Sequence, residues 1–173
     1  MFIWEHLRPT LLTVSVLTYN HPELVQPCLD EIFYQEINEP YEVLLICNGV
    51  KEPPIDITNH IQGVRIVELQ YNIGNVEGQN ECFRWSKGDW VLFVSDDVRM
   101  MPGCLQGMWD ARFEGQVMPI INNPDGTIQS YGGKLVWPGY GINRKIPGVR
   151  DYIPSICYLM PKGLLESVGG FDS

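Results

Sequence analysis

Ser95-Asp96-Asp97 sets two carboxylates directly after Trp90 to Val94, an apolar run of strand length. Adjacent acids in a chain of formal charge -9 repel each other unless a counter-ion comes between them. Hard oxygen ligands at an open strand end suit Mg or Mn, which could bridge to a diphosphate and supply the positive charge that the composition lacks. The same dipeptide also reads as an acidic turn that caps Val98 onward or faces solvent.

Other polar groups close other apolar runs. Thr18-Tyr19-Asn20 follows Leu11 to Leu17; Tyr19 offers a face for stacking on a base, with Thr18 and Asn20 reaching polar edges, or simply packs at the strand end. Asn48-Gly49 ends Tyr41 to Cys47. Asn72-Ile73-Gly74, with Gly78 and Asn80, either lets backbone approach a ligand or forms a loop and helix cap; it is not the dinucleotide pattern Gly-x-Gly-x-x-Gly. His6, His21 and His60 fall in no metal spacing and read as surface residues. No Ser-His-Asp or Cys-His arrangement and no Gly-Lys-Ser phosphate loop is present. Trp85, Trp90 and Trp109 read as core, whereas Trp137 and Tyr140 lie in a glycine-rich stretch suited to touching a sugar.

The elements that must position these groups alternate. Strands are expected at Leu11 to Leu17, Tyr41 to Cys47, Val64 to Leu69 and Trp90 to Val94. A helix from His21-Pro22-Glu23 carries Leu24, Val25, Cys28, Leu29 and Ile32 on one face, with Pro27 expected to delay or bend it. A second helix enters from Asn72 and closes before Gly88. This alternation predicts an α/β fold with a doubly wound, mainly parallel sheet and helices on both faces. Beyond Pro102 a mixed, partly antiparallel half is expected: a helical turn from Gly103 to Trp109, a strand from Gln116 to Ile121, the turn Asn123-Pro124-Asp125-Gly126, and a strand through Gln129. Lys134 to Pro147 reads as a long surface loop, Tyr152 to Met160 as a last strand, and Lys162 to Val168 as a helix stopped by Gly169-Gly170. In an open parallel sheet, ligands sit beyond the carboxyl ends of the strands, where all these polar groups gather.

The 173 residues are expected to form a single domain, with a nucleotide-binding half over 11–100 and an acceptor-side half over 101–173. Hydrophobic residues at 45% and charged ones at 19% fit a globular chain and exclude a disordered one. Twelve basic against 21 acidic residues argue against nucleic acid as a partner. The five scattered cysteines have no Cys-x-x-Cys pair and read as reduced, buried thiols. No segment approaches the ~18 apolar residues of a membrane span, and the amino terminus does not read as a secretory signal, so a cytoplasmic protein is expected.

In order along the chain, Val14-Ser15-Val16-Leu17-Thr18-Tyr19-Asn20, Glu42 to Gly49, Asn72-Ile73-Gly74 through Gly78-Gln79-Asn80, Gly88 to Asp97, and Val168-Gly169-Gly170-Phe171-Asp172 resemble the GT-A glycosyltransferases of family two. The resemblance runs from about residue 11 to the last residue and implies transfer of a sugar from a nucleoside-diphosphate donor, UDP-sugar first, to an acceptor hydroxyl with inversion. The acceptor is a glycan, a lipid or a small molecule. By position it implies Thr18 and Tyr19 at the base, Asp96 near the ribose and Asp97 on Mn or Mg, with Asn20, Asn48, Asn72, Gly74 and Asn80 also on the nucleotide side. Three positions depart from the pattern: Asn48 stands where the family commonly has the Asp that binds the base, and Ser95 replaces the first carboxylate of Asp-x-Asp. In the family the segment after Gly-Gly-Phe-Asp usually continues through acidic residues, one of them the general base, whereas this sequence stops at Ser173; either Asp172 serves, or the base comes from elsewhere, or the chain is a truncated or minimal form with weak activity. A nucleotide-sugar-binding module without a competent base is the alternative. A nucleotidyltransferase would need a glycine- and lysine-rich first loop, which Leu17 to Asn20 lacks.

Overall fold

Leu12–Thr18 is buried at all seven positions, as expected of a strand covered on both faces. A computed structural model describes residues 12–50, 63–112, 115–136, 140–144, 146 and 148–172. The expectations for Leu11, His6, His60, Trp137 and the Tyr140 side chain lie outside the described residues. In chain order the elements are β1 (Leu12–Thr18), α1 (Pro22–Phe33), β2 (Tyr41–Asn48), β3 (Val64–Leu69), α2 (Asn75–Trp85), β4 (Trp90–Ser95), α3 (Cys104–Ala111), β5 (Ile121–Asn122), β6 (Ile128–Ser130), β7 (Gly133–Val136), β8 (Tyr140–Asn143), β9 (Cys157–Pro161) and α4 (Lys162–Val168).

The main sheet runs β3-β2-β1-β4-β9. Its first four strands are parallel, and β9 is antiparallel to β4. From β1 the chain winds outward through β2 to β3, then crosses to the other side of β1 for β4. The strand order therefore reverses between β1 and β4, the place where an open α/β sheet forms its ligand crevice. Leu17 pairs with Ser95 and Thr18 with Cys47, so Thr18, Asn48 and Asp96 all reach the same edge.

Alternation along the strands divides the core into two layers. Val14, Val16, Val43, Leu45, Leu92 and Val94 meet α1 and α3, whereas Leu44, Ile46, Val91, Phe93 and Tyr158 meet α2 and α4. In α1 the buried residues Val25, Cys28, Leu29 and Ile32 follow the helical i, i+3, i+4, i+7 spacing. Pro27 lies inside α1 on its exposed side, so the helix passes through it instead of ending there. Burying each large aliphatic side chain contributes about 1.5–3 kcal/mol, which makes the central strands the rigid support of the edge.

The structure differs from expectation in four places, three of them in the second half. Of Gln116 to Ile121, Val117 forms a single bridge with Leu159 and only Ile121 belongs to a strand, the two-residue β5. Pro119 has no N–H with which to continue a ladder. Lys134 to Pro147 contains the hairpin β7–β8. Its glycines are a packing surface: a Cβ on Gly133 would fall 2.1 Å from the Tyr152 ring, which lies over that face. The last strand begins at Cys157, because Pro154 interrupts the run and Tyr152 bridges Gly133 instead. Trp85, at the last turn of α2, is 46% exposed rather than core, with its indole N–H on Glu81. Among the described residues no helix is long and apolar enough to cross a membrane.

Candidate functional site

The edge is built around a contact between two strand ends. Thr18 Oγ donates to Asp96 Oδ2 at 2.7 Å, and the Tyr19 N–H donates to the same carboxylate. Burial pushes the Asp96 carboxyl above its ordinary value, the Thr18 hydrogen bond opposes this, and the neighbouring Asp97 charge pushes it further up. Thr18 is buried, while Tyr19, the next residue, is 42% exposed. Asn20, with φ +63°, turns the chain from β1 towards α1 in the left-handed region that asparagine tolerates. Asp97 is exposed in the turn after β4, and the Arg99 guanidinium caps that turn on the carbonyls of Asp96 and Val98.

A second group braces the loop after β3. Asn48 is buried at the end of β2, where its Oδ1 accepts the Ile73 N–H at 3.0 Å. Its Nδ2 donates to Asn72 Oδ1 at 3.0 Å and to the Gly74 carbonyl at 3.1 Å. Asn72 Oδ1 also accepts the Gly74 N–H at 2.8 Å, so three sequence-predicted residues hold one another. Both Nδ2 hydrogens of Asn48 are thereby spent within the protein. Gly49, at φ +83°, makes the fit possible, since a Cβ there would lie 2.3 Å from the Asn72 nitrogen.

A third group joins α2 to the segment after α4. Asn80 Oδ1 accepts the Phe171 N–H at 2.8 Å, and its Nδ2 donates to the Phe171 carbonyl at 3.1 Å and to the Glu77 carboxylate. The Phe171 ring packs edge-on against Phe83 and Tyr158, with centroids 5.8 and 6.3 Å away. Asp172 follows, exposed to solvent. A cavity of about 520 Å³ opens beside this group, lined by Asn80, Phe83, Lys162, Leu165 and Phe171 among others; Thr18, Asp96 and Asp97 do not line it.

The sequence-predicted residues thus form three groups: Thr18, Tyr19 and Asp96, with Asn20 and Asp97 beside them; Asn48, Asn72 and Gly74; and Asn80 with the backbone next to Asp172. Reasoning from sequence missed Phe171 as the partner of Asn80, and buried Gln79, whose Oε1 accepts the Tyr158 hydroxyl proton at 2.7 Å. Neither pairing leaves a local signal, because the partners are 91 and 79 residues apart.

Among the described residues no three His, Cys, Asp or Glu side chains gather as a metal cage. The donor set that is present, exposed Asp97 beside half-buried Asp96, fits a hard cation that completes its shell with substrate phosphates and water.

The comparisons agree with this architecture. A mannosyltransferase of Pyrobaculum calidifontis, solved with GDP-Man and Mn2+, aligns over 95% of this chain and 48% of its own at TM-score 0.61 and 19% identity. The S. aureus TarS 1-349 structure with UDP-GlcNAc aligns over 91% and 47% at TM-score 0.63 and 17% identity. An uncharacterized glycosyltransferase of Haemophilus influenzae is 33% identical over 92 residues, 53% of this chain and 31% of that protein. The chain therefore spans about a third of that curated relative and about half of each solved chain. The two structural likenesses carry the GT-A fold, with its parallel sheet and antiparallel flank. The model of the family described as glycosyl transferase family 2 matches residues 13–160, most of the chain and all four parallel strands, and the chain belongs to that family.

Proposed function

We propose that this chain transfers a sugar from a nucleoside-diphosphate sugar, UDP-linked in the first instance, to an acceptor hydroxyl with inversion at the anomeric carbon. The observation that carries the reading is the Thr18–Asp96 contact at the reversal of strand order, in a chain of glycosyl transferase family 2. Tyr19 is the stacking face for the base and Thr18 fixes the Asp96 carboxylate, which is thereby aimed at the ribose. A half-buried, pre-oriented carboxylate loses little freedom when a ligand binds, so its hydrogen bond to a sugar hydroxyl costs less to form. Asn48, Asn72 and Gly74 act here by holding the loop that walls the nucleotide side.

Asp97 would hold the divalent cation, Mn or Mg, whose chemistry is to neutralise the diphosphate and the charge left on it as it departs. The step itself forms a bond from the acceptor oxygen to the anomeric carbon and breaks the bond from that carbon to the diphosphate. The acceptor proton passes to a carboxylate, assigned here to Asp172, and a nucleoside diphosphate is released. Positioned general bases contribute about 100- to 10,000-fold. The half beyond α3, including the hairpin β7–β8 with exposed Leu135 and Ile142, is the acceptor side in this reading.

The test is calorimetric titration with UDP and GDP, with and without Mn2+, followed by a nucleotide-release assay on UDP-sugars across a panel of acceptors. Mn2+-enhanced binding with acceptor-dependent release is expected. No nucleotide binding, or binding that never leads to release, would overturn the proposal.

A further inference from the structure

Asn80 spends both of its amide hydrogens and one lone pair of Oδ1 inside the protein. One Nδ2 hydrogen is given to Glu77, the other to the Phe171 carbonyl, and Oδ1 takes the Phe171 N–H. One side chain thus satisfies both backbone groups of one residue, as a neighbouring strand would, and prevents the peptides flanking Phe171 from rotating. The ring of Phe171, packed edge-on against the stacked pair Phe83 and Tyr158, holds the same residue through its side chain.

The approach to this clamp is made by two successive glycines, Gly169 at φ +86° and Gly170 at φ +104°. Both values lie where side chains are strained, and a Cβ on Gly170 would stand 3.1 Å from Asn80 Oδ1. The sequence therefore provides a left-handed bend, an aromatic anchor and a two-point amide clamp, all immediately before Asp172. α2, which carries Asn80 near its middle, is preceded at its amino end by Gly74, the residue gripped by Asn48. A single rigid helix connects the loop on the nucleotide side to the segment that carries Asp172.

We infer that Asn80 is a positioning residue: through the Phe171 backbone it fixes where Asp172 stands relative to the bound donor, and it makes no contact with the nucleotide. The inference rests on the transferase reading and on Asp172 as its base. Loosening the clamp leaves the donor site intact and lets the carboxylate wander, so its effect falls on kcat.

The experiment compares Asn80→Ala with the wild-type chain in three measurements: nucleotide affinity by calorimetry with UDP and Mn2+, kcat and donor KM by nucleotide release, and exchange of the Phe171 amide followed by NMR. Expected are a kcat lower by about 10- to 100-fold, nucleotide affinity and donor KM within about twofold of wild type, and faster exchange at Phe171. Nucleotide affinity lower by about tenfold would make Asn80 a ligand of the nucleotide and overturn the inference, as would an unchanged kcat. Asn80→Asp keeps the acceptor for the Phe171 N–H but loses the donor and sets a second carboxylate against Glu77; it carries the same test, with a similar fall in kcat, should Asn80→Ala not fold. Failure of the transferase reading is recognised separately. A wild-type chain that never releases nucleotide overturns both, whereas a turning-over wild type with an equally fast Asn80→Ala overturns the positioning role alone.

Discussion

Thr18 and Asp96 are 78 residues apart in sequence, yet the hydroxyl of one meets the carboxylate of the other at 2.7 Å, across the gap where β1 and β4 end side by side. This contact makes a pair of strand ends into one polar surface. Thr18→Val keeps the shape and removes the donor, which leaves a half-buried carboxylate with one partner fewer. The expected result is a loss of about 1–3 kcal/mol in stability and about tenfold in UDP affinity, read by thermal unfolding and calorimetry. Unchanged affinity would show that the Asp96 carboxylate is not part of the nucleotide site.

Asp97 and Asp125 are both acidic turn residues, but only Asp97 stands beside the crevice; Asp125 is spent on Thr127 in the turn between β5 and β6. Asp97→Ala is expected to remove the Mn2+-dependent part of nucleotide binding, about 10- to 100-fold for one charged ligand, and Asp125→Ala to leave it intact. Calorimetry at matched Mn2+ concentrations separates the two. Equal effects would end the assignment of the cation to Asp97.

Glu42 makes one contribution to the pH dependence of folding. Burial raises its carboxyl, but the Thr13 hydroxyl, the Lys87 N–H and the Arg65 guanidinium outweigh burial and hold it below the ordinary glutamate value of 4.5. A depressed carboxyl stabilises the fold above that ordinary value and loses the contribution as pH falls through the lower folded one. Glu42→Gln should therefore be less stable than wild type at neutral pH, by about 1–3 kcal/mol. The gap should narrow below pH 4.5. Thermal unfolding against pH checks it; a gap that widens in acid would contradict the stated sign.

The cysteines are expected to be inert in the native chain. Burial pushes the Cys28 and Cys82 thiols up to about 12 and Cys47 to about 11, which removes the reactive thiolate near neutral pH. Alkylation of these three by iodoacetamide at pH 8 should be slower by about 1,000-fold than in urea, by peptide mass spectrometry. Rapid native labelling of Cys82, in the α2 layer, would show that the layer opens locally.

Much of the fold was legible in the residues themselves. Short apolar runs ending in Thr18, Asn48 and Ser95 already specify strands that deliver polar groups to one edge, because a strand buried on both faces can offer polar groups to a ligand only where it ends. The helical spacing of Val25, Cys28, Leu29 and Ile32 is equally local. Where prolines and glycines dominate the reading was less exact. Gly133 and Gly141 resemble loop residues in sequence, but Tyr152 needs their missing side chains in order to pack on a hairpin.

The sequence by itself determined which residue types reach the rim, since strand periodicity and the polar residues that break it are encoded within a few positions. Only the tertiary structure decided which of them face one another: Thr18 meets Asp96, Asn48 is taken up by Asn72 and Gly74, and Asn80 is bonded to Phe171. Hydrogen bonds are short and directional, so an asparagine's role is fixed by what lies within about 3 Å of its amide, and for Asn80 that neighbour is 91 residues further along the chain.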